Sequence, residues 1–138
     1  MNSSAFFRLP RLIVAALIVG SPIVAAASEA LKPGNAANGE QVYQECSLCH
    51  SITDNIVGPR HCGIVGRKSA TIADFEYSDA MKKAGVTWDE ATLSKYLANP
   101  AEMVPGTAMG FVGIPEEQHR LDLIAYLKKA AAPALCKK

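Results

Sequence analysis

The sequence lacks a basic excess, internal repeats, low-complexity tracts and any linker-like stretch that would separate two domains. Lys and Arg number 14 against 13 Asp and Glu, for a net charge of +1. That balance argues against the basic face that nucleic-acid binders present to phosphates. A length of 138 residues without repeats or linkers fits one domain with one core, so one functional site is sought.

Long apolar runs are also scarce, and the one present lies at the N-terminus. Arg8 and Arg11 precede an apolar stretch from Leu12, which ends in the small residues Ala25-Ala26-Ala27. This pattern reads as a secretory signal peptide over residues 1–27, cut before Ser28. A retained membrane anchor is the competing reading, but the run is shorter than the ~20 residues a spanning helix needs. It is also broken by Gly20, Ser21 and Pro22. Removing Arg8 and Arg11 leaves 12 basic against 13 acidic residues, a charge of −1 for residues 28–138. Export, most simply to a bacterial periplasm, puts the four cysteines in an oxidising compartment. Each thiol must then serve a cofactor, a disulfide or a free-thiol role.

The remaining sequence reads as mainly helical. Asn35 is a good cap for a helix that runs through Gly39 and Tyr43 into Cys46. Residues 51–77 are interrupted by Gly58, Pro59, Gly63 and Gly66 and show no sustained apolar period, which predicts a long loop wrapped over something. Ser78 can cap a short helix ending at Gly85, and Thr87-Trp88-Asp89-Glu90 reads as a capping box for a helix that Pro100 terminates. The last helix is expected from Pro115, with Glu116 and Glu117 in its first turn and Lys128 and Lys129 in its last. Leu123, Ile124, Tyr126 and Leu127 form its apolar stripe. Tyr43 and Tyr126 read as core.

Cys46-Ser47-Leu48-Cys49-His50 carries the chemistry. Two thiols one helical turn apart can bond the two vinyl groups of one porphyrin, and the adjacent imidazole can reach its iron. Two other uses of these residues remain open: a zinc site built from Cys46, Cys49, His61 and Cys62, and a redox dithiol at Cys46 and Cys49. Zinc sites with this spacing usually pair two close ligand couples in a small finger, and thioredoxin-like pairs sit near a βαβ pattern that this chain lacks. Iron held by one histidine needs a sixth ligand, and a thioether sulfur raises the potential for electron transfer. Met81 reads as core on a short helix. Met103 shares a loop context with Met109, but only Met109 follows the Pro105-Gly106-Thr107 turn that can aim a side chain inward.

From Gly34 to Ala130 the chain resembles the class I cytochromes c. The landmarks are Gly39-Glu40-Gln41-Val42-Tyr43, the haem motif, Gly58-Pro59, Gly66-Arg67-Lys68, Phe75-Glu76-Tyr77-Ser78-Asp79-Ala80 and Trp88. They continue with Tyr96-Leu97-Ala98-Asn99-Pro100, Pro105-Gly106-Thr107-Ala108-Met109 and Asp122-Leu123-Ile124-Ala125-Tyr126-Leu127. The resemblance implies a small all-α fold around one covalently attached haem c. It implies thioether bonds to Cys46 and Cys49 and iron ligation by His50 and Met109. It also implies a Pro59 carbonyl that accepts the other His50 ring N–H, Tyr77 and Trp88 reaching a propionate with Arg67 near it, and Tyr96 and Thr107 bordering the Met109 side. Gly39 and Tyr43 would cross Leu123 and Tyr126. The implied activity is one-electron shuttling by a monomer in transient complexes with a donor and an acceptor. The alternative is a haem enzyme or gas-binding protein with an open sixth position.

Cys62 and Cys136 fall outside this pattern. Spare thiols in an oxidising compartment usually pair, and in the family fold the loop after the haem motif passes near the end of the last helix, which makes a Cys62–Cys136 bond plausible. The lysines that ring the haem edge in mitochondrial members are also missing. Their places read Glu45, Ala101-Glu102, Ala108 and Pro115-Glu116-Glu117, so the docking face is expected to be neutral to acidic and to suit an apolar or basic partner patch.

Overall fold

Five α-helices carry the fold, and the computed structural model describes residues 31–136 of the chain. The signal segment expected at residues 1–27 lies outside the described residues. Helix α1 spans Ala36–Cys46, and the Asn35 side chain accepts from the backbone N–H of Ala37 at 2.9 Å and of Asn38 at 3.4 Å, as its cap role requires. Helix α2, Asp79–Ala84, is capped by the Ser78 hydroxyl and ends at Gly85. Residues 51–77 contain no helix; their only ladder contact is an isolated antiparallel bridge from Lys68 to Thr87.

That bridge corrects the expected start of the next helix. Thr87 is held extended against Lys68, and Trp88 N–H donates to the Arg67 carbonyl at 2.8 Å, so Thr87 cannot cap. Asp89 does so instead: its Oδ1 accepts from Thr92 N–H at 2.7 Å, and α3 runs Glu90–Ala98. Pro100 does not end helical structure either. Asn99 closes α3 and caps α4, Pro100–Met103, accepting from Glu102 N–H at 3.2 Å. Proline fits that first position because no intrahelical N–H is needed there. Met103 is therefore helical rather than in a loop. Helix α5, Glu117–Ala130, starts two residues later than expected, because the Ile114 and Pro115 carbonyls accept from the Arg120 guanidinium. Lys128 and Lys129 do lie in its last turn.

The core forms where α1 crosses α5. Leu123 and Ile124 are fully buried, and Tyr43, Leu93, Tyr96, Leu97, Trp88 and Leu127 pack around them. Gly39 makes the crossing possible: a Cβ there would stand 1.9 Å from the Asp122 carbonyl oxygen and 2.8 Å from Tyr126 Cβ. The C-terminal end is fastened to the long loop by a Cys62–Cys136 disulfide, with a Cα–Cα distance of 5.7 Å. Gly63 N–H donates to the Ala131 carbonyl at 2.6 Å beside it.

Candidate functional site

The end of α1 delivers the site. Cys46 is its last residue, and the turn continues beyond it: Cys49 and His50 N–H both donate to the Cys46 carbonyl, at 3.1 and 2.8 Å. Both thiols lie outside the disulfide, Cys46 half-buried and Cys49 exposed. Burial, assisted by the Glu45 carboxylate, pushes the Cys46 thiol up to about 11. Cys62 is taken by its bond to Cys136, so it is not available to a zinc quartet. Among the described residues no group of three His, Cys, Asp or Glu side chains is arranged to hold a metal ion.

His50 is oriented by the loop that follows it. Its Nδ1 donates to the Pro59 carbonyl at 2.7 Å, which leaves the Nε2 lone pair as the donor. Burial lowers the His50 pKa, and the Pro59 hydrogen bond opposes that shift. Gly58 abuts the same ring, where a Cβ would stand 2.3 Å from Cε1, and its N–H donates to the Cys49 carbonyl at 2.7 Å. The Gly58-Pro59 pair thus needs both its residue types: one for close approach, the other for its carbonyl.

The other expected residues fall into two groups. Tyr96 Oη lies 3.1 Å from Thr107 Oγ1, and that oxygen accepts from Met109 N–H at 3.3 Å, so Tyr96, Thr107 and Met109 form one hydrogen-bonded unit. Met109 is partly buried against the core. Trp88 is buried against Tyr96, with ring centroids 4.9 Å apart. Tyr77 packs edge-on against Phe75, and burial raises its pKa, partly offset by nearby Arg67 and Arg60. The Arg67 guanidinium donates to the Cys62 carbonyl at 2.5 Å and the Arg60 carbonyl at 3.2 Å, so its visible contacts brace the loop around His61.

Two residues take roles that the sequence does not display. His61, weighed there only as a zinc ligand, stacks on His50 with centroids 4.2 Å apart and planes 20° apart. Burial pushes its imidazole down to about 3, with His50 and Arg67 adding to the shift. Asp122, inside the expected apolar helix, is buried and receives three hydrogen bonds, two of which tie α5 to Asn35 and Asn38 while the third comes from Gln118 one turn earlier in α5. No local sequence signal marks either residue; both depend on which segments meet.

The donor set fits a haem: two thiols one turn apart and outside the disulfide, an imidazole fixed in the Nδ1–H tautomer, and a methionine on a hydrogen-bonded loop. The cytochrome c family model matches residues 36–131. Cytochrome c2 of Rhodomicrobium vannielii is 48% identical over 113 residues, covering 80% of this chain and 90% of that protein. Cytochrome c2 of Blastochloris viridis is 44% identical over 116 residues, covering 82% and 91%. The solved structure of cytochrome cH from Methylobacterium extorquens superposes with a TM-score of 0.67 at 48% identity, over 69% of this chain and 98% of that one. The chain belongs to the class I cytochromes c, electron carriers with one covalently attached haem c.

Proposed function

We propose that the chain is an exported, monomeric one-electron carrier and not an enzyme, with haem bonded through Cys46 and Cys49 and iron ligated by His50 and Met109. The observation that carries this reading is the 2.7 Å hydrogen bond from His50 Nδ1 to the Pro59 carbonyl, which leaves Nε2 as the ligating atom. A bound haem c supplies one-electron ferric–ferrous chemistry. The protein's part is to hold the donors and exclude other ligands. With haem bound, His50 and Met109 would be the protein's two donors to its iron, which would leave no iron position for a substrate. Thr107 and Tyr96 restrain the Met109 loop, and Tyr77, Trp88 and Arg67 are assigned to the propionate side by family position. The leader over residues 1–27 and the Cys62–Cys136 bond support a periplasmic location. Among the described residues no helix is long and apolar enough to cross a membrane.

Donor and acceptor are redox proteins met in transient complexes. Leu48 between the two thiols, Val57 beside Gly58 and Val112 after Met109 are 78%, 76% and 89% exposed. All three lie on the segments that carry the site, where exposed apolar side chains suit contact with a partner protein. With Glu45 and Glu102 near it in sequence, the docking face reads as apolar and neutral to acidic.

Replacing Met109 with Ala tests the ligation. The variant should keep its covalent haem, lose the weak methionine-to-iron charge-transfer band, turn high-spin or bind added ligands, and fall in potential because a soft donor has gone. An intact band and unchanged potential would move the assignment to Met103. A high-spin spectrum in the unaltered protein would favour a haem enzyme instead.

A further inference from the structure

His61 occupies an unusual place for a polar ring. Its face lies on the His50 imidazole, 4.2 Å between centroids, and its other ring neighbour is Tyr43, met edge-on at 5.7 Å. Tyr43 in turn leans on Tyr126 at 5.1 Å, so three rings connect the α1–α5 crossing to His50. The His61 Nδ1 atom is sealed from solvent without a hydrogen-bond partner. An aliphatic side chain would fill such a place without burying an unpaired nitrogen, so the ring itself needs a reason.

The backbone gives His61 little freedom. His61 N–H donates to the Ser51 carbonyl at 2.9 Å, Cys62 N–H to the Ile52 carbonyl at 2.8 Å and Gly63 N–H to the Ala131 carbonyl at 2.6 Å. Cys62 is also bonded to Cys136, and the Arg67 guanidinium donates to the Cys62 carbonyl. The ring is thus presented to His50 by a segment fixed at both ends.

We propose that His61 is a positioning residue for the proximal ligand: its stacked face sets the plane of the His50 ring. The Pro59 carbonyl directs Nδ1, and Gly58 closes the Cε1 edge. One hydrogen bond still permits the ring to rock about the line joining its donor and acceptor. A flat neighbour at 4.2 Å opposes that rocking, which a branched aliphatic side chain does less well. This inference rests on His50 being an iron ligand. The ligand plane governs how unpaired spin spreads over a ferric haem, and therefore the order and spread of the four haem-methyl proton resonances.

The test compares the ferric holoprotein with His61→Phe and His61→Leu by paramagnetic proton NMR and optical spectroscopy. His61→Phe, which keeps a ring to stack, should retain the wild-type methyl order. His61→Leu should keep covalent haem and a low-spin spectrum but change the methyl spread and speed exchange of the His50 Nδ1 proton. If the leucine protein does not accumulate, His61→Gln, also without an aromatic face, carries the same expectation. Methyl resonances unchanged in the non-aromatic variant, or altered equally in the phenylalanine variant, would overturn the proposal. A wild-type spectrum lacking histidine ligation would instead overturn the reading beneath it, so the two failures are distinguishable.

Discussion

Asp122 sits among Leu123, Ile124 and Leu127, where an acid would ordinarily be costly. Its carboxylate accepts from Asn35 N–H at 2.7 Å, Gln118 Nε2 at 3.1 Å and Asn38 Nδ2 at 3.3 Å. Burial pushes its pKa up, but these three bonds outweigh burial, and the net shift is downward. A carboxylate with a pKa lower in the folded than in the unfolded chain binds fewer protons when folded. Its stabilisation is therefore complete above the unfolded value of about 3.9 and is lost as pH falls through the folded one. Asp122→Asn, which turns an NH2 toward donors, should cost about 1–3 kcal/mol near neutral pH. The gap to wild type should narrow in acid, as denaturant midpoints across pH would show. A gap independent of pH would mean that packing, not charge, makes Asp122 matter. The sequence displays the thiols, His50, Pro59 and Met109 because each is local or sits in a motif. Asp122 matters through Asn35 and Asn38 at the other end of the chain, and His61 through the loop fold that lays it on His50, and neither contact can be read from the residues beside them.

Caps and breakers were legible at the level of elements wherever a single residue decides them, as at Asn35 and Ser78. They were misread where a distant segment intervenes: the Lys68 bridge makes Thr87 extended and leaves Asp89 to cap α3, and Arg120 holds the Pro115 carbonyl ahead of α5. The α1–α5 crossing itself depends on Gly39. In an isolated helix Gly→Ala gains about 1 kcal/mol. Here the new methyl would meet backbone at 1.9 Å, which the Asp122 carbonyl cannot vacate without separating the helices. Gly39→Ala should therefore destabilise by about 2 kcal/mol or more, whereas Glu40→Ala, on the exposed side, should stay within about 0.5 kcal/mol. Chemical denaturation of both variants checks the sign. The Cys62–Cys136 bond joins residues 74 apart and stabilises by at most about 4.5 kcal/mol on loop-closure arithmetic, less once haem restrains the unfolded chain. Denaturing, non-reducing mass analysis should find no alkylatable thiol in the holoprotein, and two per chain would refute the bond.

Charge and apolar surface together set how the whole molecule meets its partners. Lys82 is paired with Glu76 and Lys128 with Glu90, each at 2.6 Å, which lowers the outward field of two lysines. Glu116 and Glu117 can be explained by the dipole of α5, whose first turn holds Glu117. That account does not cover Glu45, Glu102 or the alanines at 101 and 108. The exposed Leu48, Val57 and Val112 add apolar area on the segments that carry the site. A partner with an acidic face should therefore be reached slowly at low ionic strength and faster as salt screens the repulsion. A partner with an apolar or basic patch should react fast, with a rate that is flat or falls as salt is added. Leu48→Lys and Val112→Lys together would place cations at two of these exposed positions and should raise the low-salt rate with an acidic partner by roughly tenfold. Stopped-flow transfer rates across ionic strength measure both effects. A wild-type rate with an acidic partner that is already fast at low salt and collapses on adding salt would mean that Lys83 or Lys95 helps form a basic docking face, and that Leu48, Val57 and Val112 lie outside the contact.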